Sequence, residues 1–151
     1  DVERIMRHPA VGFASDSGLL RPGDGVPHPR GYGNAARVLG RYSRERKVIP
    51  LEEAIRKMTS LPAARLRLTD RGMIKEGMKA DLVLFDPARV IDRSTFQDPQ
   101  QIAEGIERVF VNGVEVWREG AVTGARPGTP LRPAAIRTGR IRTARDQTPS
   151  R

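Results

Sequence analysis

The sequence contains no cysteine, which excludes a disulfide framework and any thiolate metal site within the chain. Histidine is scarce as well: His8 and His28 are the two, twenty residues apart. A protein-built zinc site typically draws about four ligands from Cys, His and carboxylates, so this pair does not make one. Aromatic residues account for 5% and hydrophobic residues for 38% of the 151 positions. That is lean for a self-sufficient globule, although the length suits one domain. No apolar run approaches the roughly 20 residues of a membrane span, and no signal-peptide pattern opens the sequence. These absences point to a cytoplasmic protein with no membrane partner.

Positive charge is plentiful but uneven. The formal charge is +9, from 27 basic and 18 acidic residues. Residues 132–151 hold six arginines (Arg132, Arg137, Arg140, Arg142, Arg145, Arg151) against Asp146 alone, a net of +5. That tail has no apolar period and is expected to be disordered. It also lacks the interleaved aromatics on which bases stack, so no specific nucleic-acid partner is expected. The other end begins without methionine, and Val2, Ile5 and Met6 already share one helical face. A chain that opens inside a helix is expected to be a piece of something longer.

Val11-Gly12-Phe13-Ala14-Ser15 is a short apolar stretch ending at Asp16-Ser17-Gly18. It fits a strand buried on both faces, as in a parallel sheet or barrel. A loop rich in Gly and Pro follows, through Gly31-Tyr32-Gly33, and a helix is predicted from an N-cap at Asn34 to about Arg44. Leu51, Ala54, Ile55 and Met58 make one apolar stripe, predicting a helix over 51–59 with Glu52–Arg56 and Glu53–Lys57 ion pairs. Ser60 should cap a second short helix with Pro62 in its first turn. Past residue 70 the period becomes that of strands. Residues 80–86 read as one, and Asn112-Gly113 joins two more into a hairpin. A two-residue turn there pairs Val111 with Val114, Phe110 with Glu115, Val109 with Val116, and Arg108 with Trp117, the last as a cation–π contact.

Several residue groups carry chemistry. Asp16 ends a buried strand and precedes a long loop, the place where barrel enzymes put catalytic groups. The same position also suits an ordinary Asx-turn, and sequence position leaves both readings open. His28, Arg30 and Tyr32 put a base, a guanidinium and a phenol on one loop, and Arg30 has the fork geometry to hold a carboxylate. Gly23-Asp24-Gly25 and Gly31-Tyr32-Gly33 continue into neither GxGxxG nor a Walker lysine, so neither is a phosphate loop.

These segments in order resemble the end of the N-acyl-D-amino-acid deacylases (D-aminoacylases), a branch of the amidohydrolase superfamily. The resemblance rests on Met6-Arg7-His8-Pro9-Ala10-Val11-Gly12-Phe13-Ala14-Ser15-Asp16, His28-Pro29-Arg30-Gly31-Tyr32-Gly33 and Arg37-Val38-Leu39-Gly40-Arg41-Tyr42. It continues through Leu51-Glu52-Glu53-Ala54, Lys57-Met58-Thr59-Ser60-Leu61-Pro62, Gly77-Met78-Lys79-Ala80-Asp81-Leu82-Val83 and Thr95-Phe96-Gln97-Asp98-Pro99. Val111-Asn112-Gly113-Val114 and Thr123-Gly124-Ala125-Arg126-Pro127-Gly128 close it, so the match covers roughly residues 5–132. Asn34-Ala35-Ala36 departs from the family pattern, and the tail has no counterpart in it.

The resemblance implies an α/β plus β fold: the end of a metal-dependent (β/α)8 barrel, then part of the small β-domain, then the basic tail. Residues 1–66 would be the last strand, substrate loop and helices of the barrel, 67–132 the β-domain segment, and 133–151 the disordered Arg-rich tail. It implies Asp16 as the acid–base residue beside the metal and a contributor to its binding, with the other ligands upstream of this sequence. Arg30, His28 and Tyr32 would bind substrate. The cofactor would be zinc or another divalent metal in the full-length enzyme, with none held tightly by this chain alone. The partners would be the upstream portion of the same enzyme and a small N-acyl amino acid, and the reaction would be hydrolysis of the amide to a carboxylate and a D-amino acid. Two alternatives stand beside it: another amidohydrolase of dihydroorotase or hydantoinase type, or a non-catalytic truncated remnant with a polyanion-binding tail.

Overall fold

The computed structural model describes residues 1–18, 21, 23 and 25–131. The expected disorder of the Arg-rich tail falls outside the described residues, as does Arg132 at the end of the predicted β-domain segment. Helices fill the first half: α1 (Val2–Arg7), α2 (Arg30–Arg37), a π-helical stretch (Val38–Glu45), α3 (Leu51–Met58) and α4 (Ser60–Arg65). The second half is one antiparallel sheet, β1 (Leu82–Phe85), β2 (Ile106–Val111), β3 (Val114–Arg118) and β4 (Ala121–Val122), ordered as in the sequence. No helix among the described residues is long and apolar enough to cross a membrane.

The predicted strand over residues 11–15 does not form. The segment is extended but unpaired, and its burial alternates: Val11, Phe13, Ser15 and Ser17 are half-buried while Gly12, Ala14, Asp16 and Gly18 are exposed. A strand needs neighbours for its N–H and C=O groups, and no other strand among the described residues lies beside this one. One face therefore packs on the helices and the other is open, in place of burial on both.

Helix α2 is capped five residues earlier than the sequence predicts, at Pro29 with Arg30 as its first residue, which leaves Asn34 inside it rather than at its cap. Pro29 already has helical φ and ψ (−51°, −27°), and His28 supplies its carbonyl to the Gly31 N–H at 3.0 Å. Gly31 and Gly33 read as loop residues, yet both are helical, and close neighbours account for the absence of a side chain at each. A Cβ on Gly31 would lie 2.7 Å from Ser17 Oγ, and one on Gly33 2.6 Å from Asp92 Cβ. The helix continues into the wider π winding, where the Arg46 N–H reaches the Arg41 carbonyl at 2.9 Å.

Helix α3 forms over the predicted stripe, with Ala54 fully buried and Leu51 and Met58 against the core, but Ile55, the fourth stripe residue, is exposed. One of its ion pairs differs. Arg56 grips Glu53 at i,i+3 with two bonds of 2.7 and 2.8 Å in place of the expected Glu52, while the expected Glu53–Lys57 ion pair forms at 3.8 Å. Arg56 holds the Glu53 carboxyl below the usual carboxylate range. Ser60 is the first residue of α4 rather than its cap, and Pro62 sits in the first turn as expected.

In the hairpin, Asn112 and Gly113 have φ of 49° and 80°, the left-handed pair a type I′ turn requires. Val111–Val114 and Phe110–Glu115 pair as predicted. A bulge between Val109 and Phe110 then shifts the register, so Val109 faces Trp117 and Arg108 faces Arg118. The expected Arg108–Trp117 contact is lost, and two like charges stand opposite each other, a destabilising arrangement. Glu115 offsets it by pairing with both, with Arg108 at 3.6 Å and with Arg118 directly.

The two halves meet in one core. Met6, Ala36, Val38, Leu39, Val48, Ile49 and Ala54 come from the helical half and Val90 from the sheet half, with Phe85, Ala103 and Ile106 packed against them. Gly40 lies on this seam, where a Cβ would stand 2.3 Å from the Val90 carbonyl oxygen. Gly40→Ala should therefore lower unfolding stability by about 1–3 kcal/mol, the usual range for overpacking. Gly128→Ala, which has nothing within 4 Å, should change it by no more than about 0.5 kcal/mol. Urea unfolding of the two variants checks the pair, and equal effects would contradict the close approach.

Candidate active site

The extended segment delivers Asp16 to an exposed end. Its φ is 49°, in the left-handed region that non-glycine residues seldom occupy, and its side chain is 91% exposed. Arg30, the first residue of α2, reaches it with Nη2 3.2 Å from Oδ2. An ion pair this open contributes little to stability, about 0–1 kcal/mol, so either partner can be exchanged for a ligand group at small cost.

The other two candidates do not join this pair. His28 is turned to local work, its Nδ1 accepting the Arg30 N–H at 3.1 Å and its ring edge-on to Phe96 with centroids 5.0 Å apart. His8 repeats the same His-Pro-X arrangement, accepting the Ala10 N–H at 3.2 Å. A nitrogen that accepts an N–H has its lone pair engaged and is not a metal ligand in that state. Tyr32 is two positions after Arg30, and such residues do not share a helix face. Its hydroxyl is buried with no hydrogen-bond partner among the described residues. No group of three or more His, Cys, Asp or Glu side chains comes together among the described residues as a metal site would require.

Residues 92–100 support the site from the sheet half, a role the sequence reading missed. Asp92 is buried under α2 and accepts the Arg37 Nε–H at 2.9 Å. Gln100 spans the glycine loop, with Oε1 accepting from Gly23 N at 2.8 Å and Nε2 donating to the Gly25 carbonyl at 3.1 Å. Phe96 carries His28. The Thr95-Phe96-Gln97-Asp98-Pro99 block was a signal for Phe96 alone, and periodicity could not connect it, Asp92 or Gln100 to residues so far away in sequence.

Over residues 1–122 the sequence matches the amidohydrolase family. The chain belongs to that family. Among curated relatives it is 51% identical over 134 residues to the N-acyl-D-aspartate deacylase of Alcaligenes xylosoxydans xylosoxydans, covering 88% of this chain and 26% of the relative. It is 49% identical over 131 residues to the D-aminoacylase of the same organism, covering 87% and 26%. A solved relative is the N-acyl-D-glutamate deacylase of Bordetella bronchiseptica, complexed with zinc and a phosphonate inhibitor that mimics the tetrahedral intermediate. It superposes with a TM-score of 0.73 at 43% identity, over 80% of this chain and 25% of that one. This amidohydrolase chain thus spans about a quarter of the length of the relatives it matches.

Gln100 makes the loop's attachment testable. Gln100→Ala should speed amide hydrogen exchange at Gly23 by about five-fold, the equivalent of roughly 1 kcal/mol for one lost hydrogen bond, with thermal stability unchanged. Unaltered exchange at Gly23 would mean the loop is held some other way.

Proposed function

We propose that this chain is the carboxy-terminal part of a metal-dependent N-acyl-D-amino-acid deacylase, which hydrolyses the amide of its substrate to a carboxylate and a D-amino acid. The observation that carries the reading is the Asp16–Arg30 pair. An exposed carboxylate in a strained backbone conformation sits 3.2 Å from a guanidinium, and strained residues concentrate at working sites. Amide hydrolysis needs a base to take the proton of the attacking water and an acid to return it to the leaving nitrogen, and one carboxylate serves both steps in turn. Asp16 is that group in our reading. The substrate is itself a carboxylate, and Arg30 binds it through the guanidinium fork. Tyr32, whose hydroxyl is buried without a partner among the described residues, lies off the face of Arg30 and is not placed at the substrate by this arrangement. His28 contributes by fixing the start of α2, and so the position of Arg30.

The family of relatives includes a zinc-bound structure, but the donor groups of this chain do not fit a metal. No trio of ligating side chains exists among the described residues, and both histidines use Nδ1 to accept a backbone N–H. In our reading the zinc ligands come from the upstream portion of the enzyme, the chain's principal partner. Residues 1–66 would then complete a (β/α)8 barrel, with 11–15 pairing as its last strand once neighbours are present, and 67–132 would be part of the small β-domain.

Asp16→Asn in the full-length enzyme keeps the side-chain volume and removes the proton-accepting oxygen. Turnover should fall by about 10²–10⁴, the usual contribution of a general acid–base group, with substrate affinity little changed. Arg30→Ala should chiefly raise KM, as loss of an interaction made equally in ground and transition states does. An Asp16→Asn enzyme that keeps more than about a tenth of the parent kcat, well above the loss expected of a general base, would sink the assignment. For the metal, equilibrium dialysis of this chain alone should find no tightly held zinc; one ion per chain would refute the ligand argument.

A further inference from the structure

Lys57 is fully buried, an unusual fate for a side chain that helical patterning assigns to a solvated face. Its Nζ donates to the His8 carbonyl and, at 2.9 Å, to the Val11 carbonyl. The Glu53 carboxylate lies 3.8 Å away and the Phe13 ring centroid 5.7 Å away. Two of the ammonium's three donors are therefore held by the backbone that leads to Asp16, and the charge is balanced by Glu53 at ion-pair distance. The Lys57 main chain adds a third attachment to that backbone, because its carbonyl accepts the Phe13 N–H at 3.3 Å. Arg56, bound to Glu53 on its other side, donates to the Pro9 carbonyl at 2.7 Å. Helix α3 thus grips His8, Pro9, Val11 and Phe13 in succession, and the free end of the gripped segment is Asp16, three residues past the last hold.

We infer that Lys57 is a positioning residue for the reaction: from inside helix α3 it fixes the track of residues 8–13 and so the place of the Asp16 carboxylate. The inference rests on the reading of Asp16 as the acid–base group. A general base works only within hydrogen-bond reach of the proton it takes, about 2.6–3.2 Å, and a misplacement of about 1 Å can lower rate 10²-fold. No strand lies beside this segment among the described residues, so within them its hold comes from helix α3 and, at its far end, from the Arg30–Asp16 ion pair. Lysine suits the task because its stem is apolar enough to cross the core while its tip satisfies several carbonyls at once.

The test is a double-mutant cycle in the full-length, zinc-loaded enzyme. Lys57→Met keeps the stem and removes the donors. It should speed hydrogen exchange at the Phe13 amide and lower kcat about ten-fold or more, with KM within about two-fold and zinc content unchanged. In an Asp16→Asn background the same substitution should lower the residual kcat no further, because a residue acting through Asp16 has nothing left to position. A merely structural role would lower both backgrounds by the same factor, and that result would overturn the proposal. So would a kcat within two-fold of the parent while Phe13 exchange rises. If Asp16→Asn alone is as active as the parent, the reading of Asp16 fails and the proposal falls with it; if Asp16→Asn is crippled but the Lys57 effect is additive, the Lys57 proposal alone falls. Should Lys57→Met not yield soluble enzyme, Arg56→Leu removes the neighbouring hold on Pro9 and should show the same pattern at smaller amplitude, with additivity again overturning it.

Discussion

A fully buried ammonium is tolerated only where its donors are satisfied; left uncompensated, such a charge costs of the order of several kcal/mol. Lys57 meets that condition by capturing the carbonyls of His8 and Val11. Much of the helical half follows from this. The segment that leaves α1 is drawn across α3, Phe13 packs against the core beside the lysine stem, and Gly12 passes so close that a Cβ would sit 3.2 Å from the Lys57 carbonyl oxygen. In our reading, stability and site geometry are linked through this one side chain, whose contacts are made inside while the Asp16 carboxylate lies outside in solvent.

A second constraint comes from the sheet half. Asp92 under α2, Gln100 across the glycine loop and Phe96 beneath His28 join elements more than fifty residues apart in sequence. Arg37 matters here because Asp92 is only 5% exposed, and a buried carboxylate needs its partner. The seam at Gly40 and Val90 completes the join. The open face of residues 11–18 and the exposed Leu82, Val83 and Leu84 of the edge strand β1 are the surfaces on which the rest of a four-fold longer amidohydrolase would close in our reading.

The parts legible in the sequence were those governed by local rules. The helix from Leu51 to Met58 and the Asn112-Gly113 turn are short-range signals, and both formed as elements, although Ile55 of the stripe is exposed. Resemblance identified the family and singled out Asp16 and Arg30, which the structure brings to 3.2 Å. What failed was long-range. Gly31 and Gly33 announce a loop by composition, but they serve helix packing against Ser17 and Asp92. Residues 11–15 have a strand's composition and no strand beside them among the described residues. The Val109 bulge moved Trp117 by one register step, which no alternation pattern encodes. Lys57 was read as the i,i+4 partner of Glu53, which it is at 3.8 Å, but helical spacing does not record what crosses a face and so gave no sign that the side chain is buried.

The most direct test of the central claim is a crystal structure of the full-length enzyme with a phosphonate mimic of the tetrahedral intermediate. The account predicts an Asp16 carboxylate oxygen within about 2.6–3.2 Å of a phosphonate oxygen, the reach of a general acid–base group, and the Arg30 guanidinium on the inhibitor's carboxylate. An Asp16 side chain turned to solvent, with another carboxylate at the phosphonate, would contradict it.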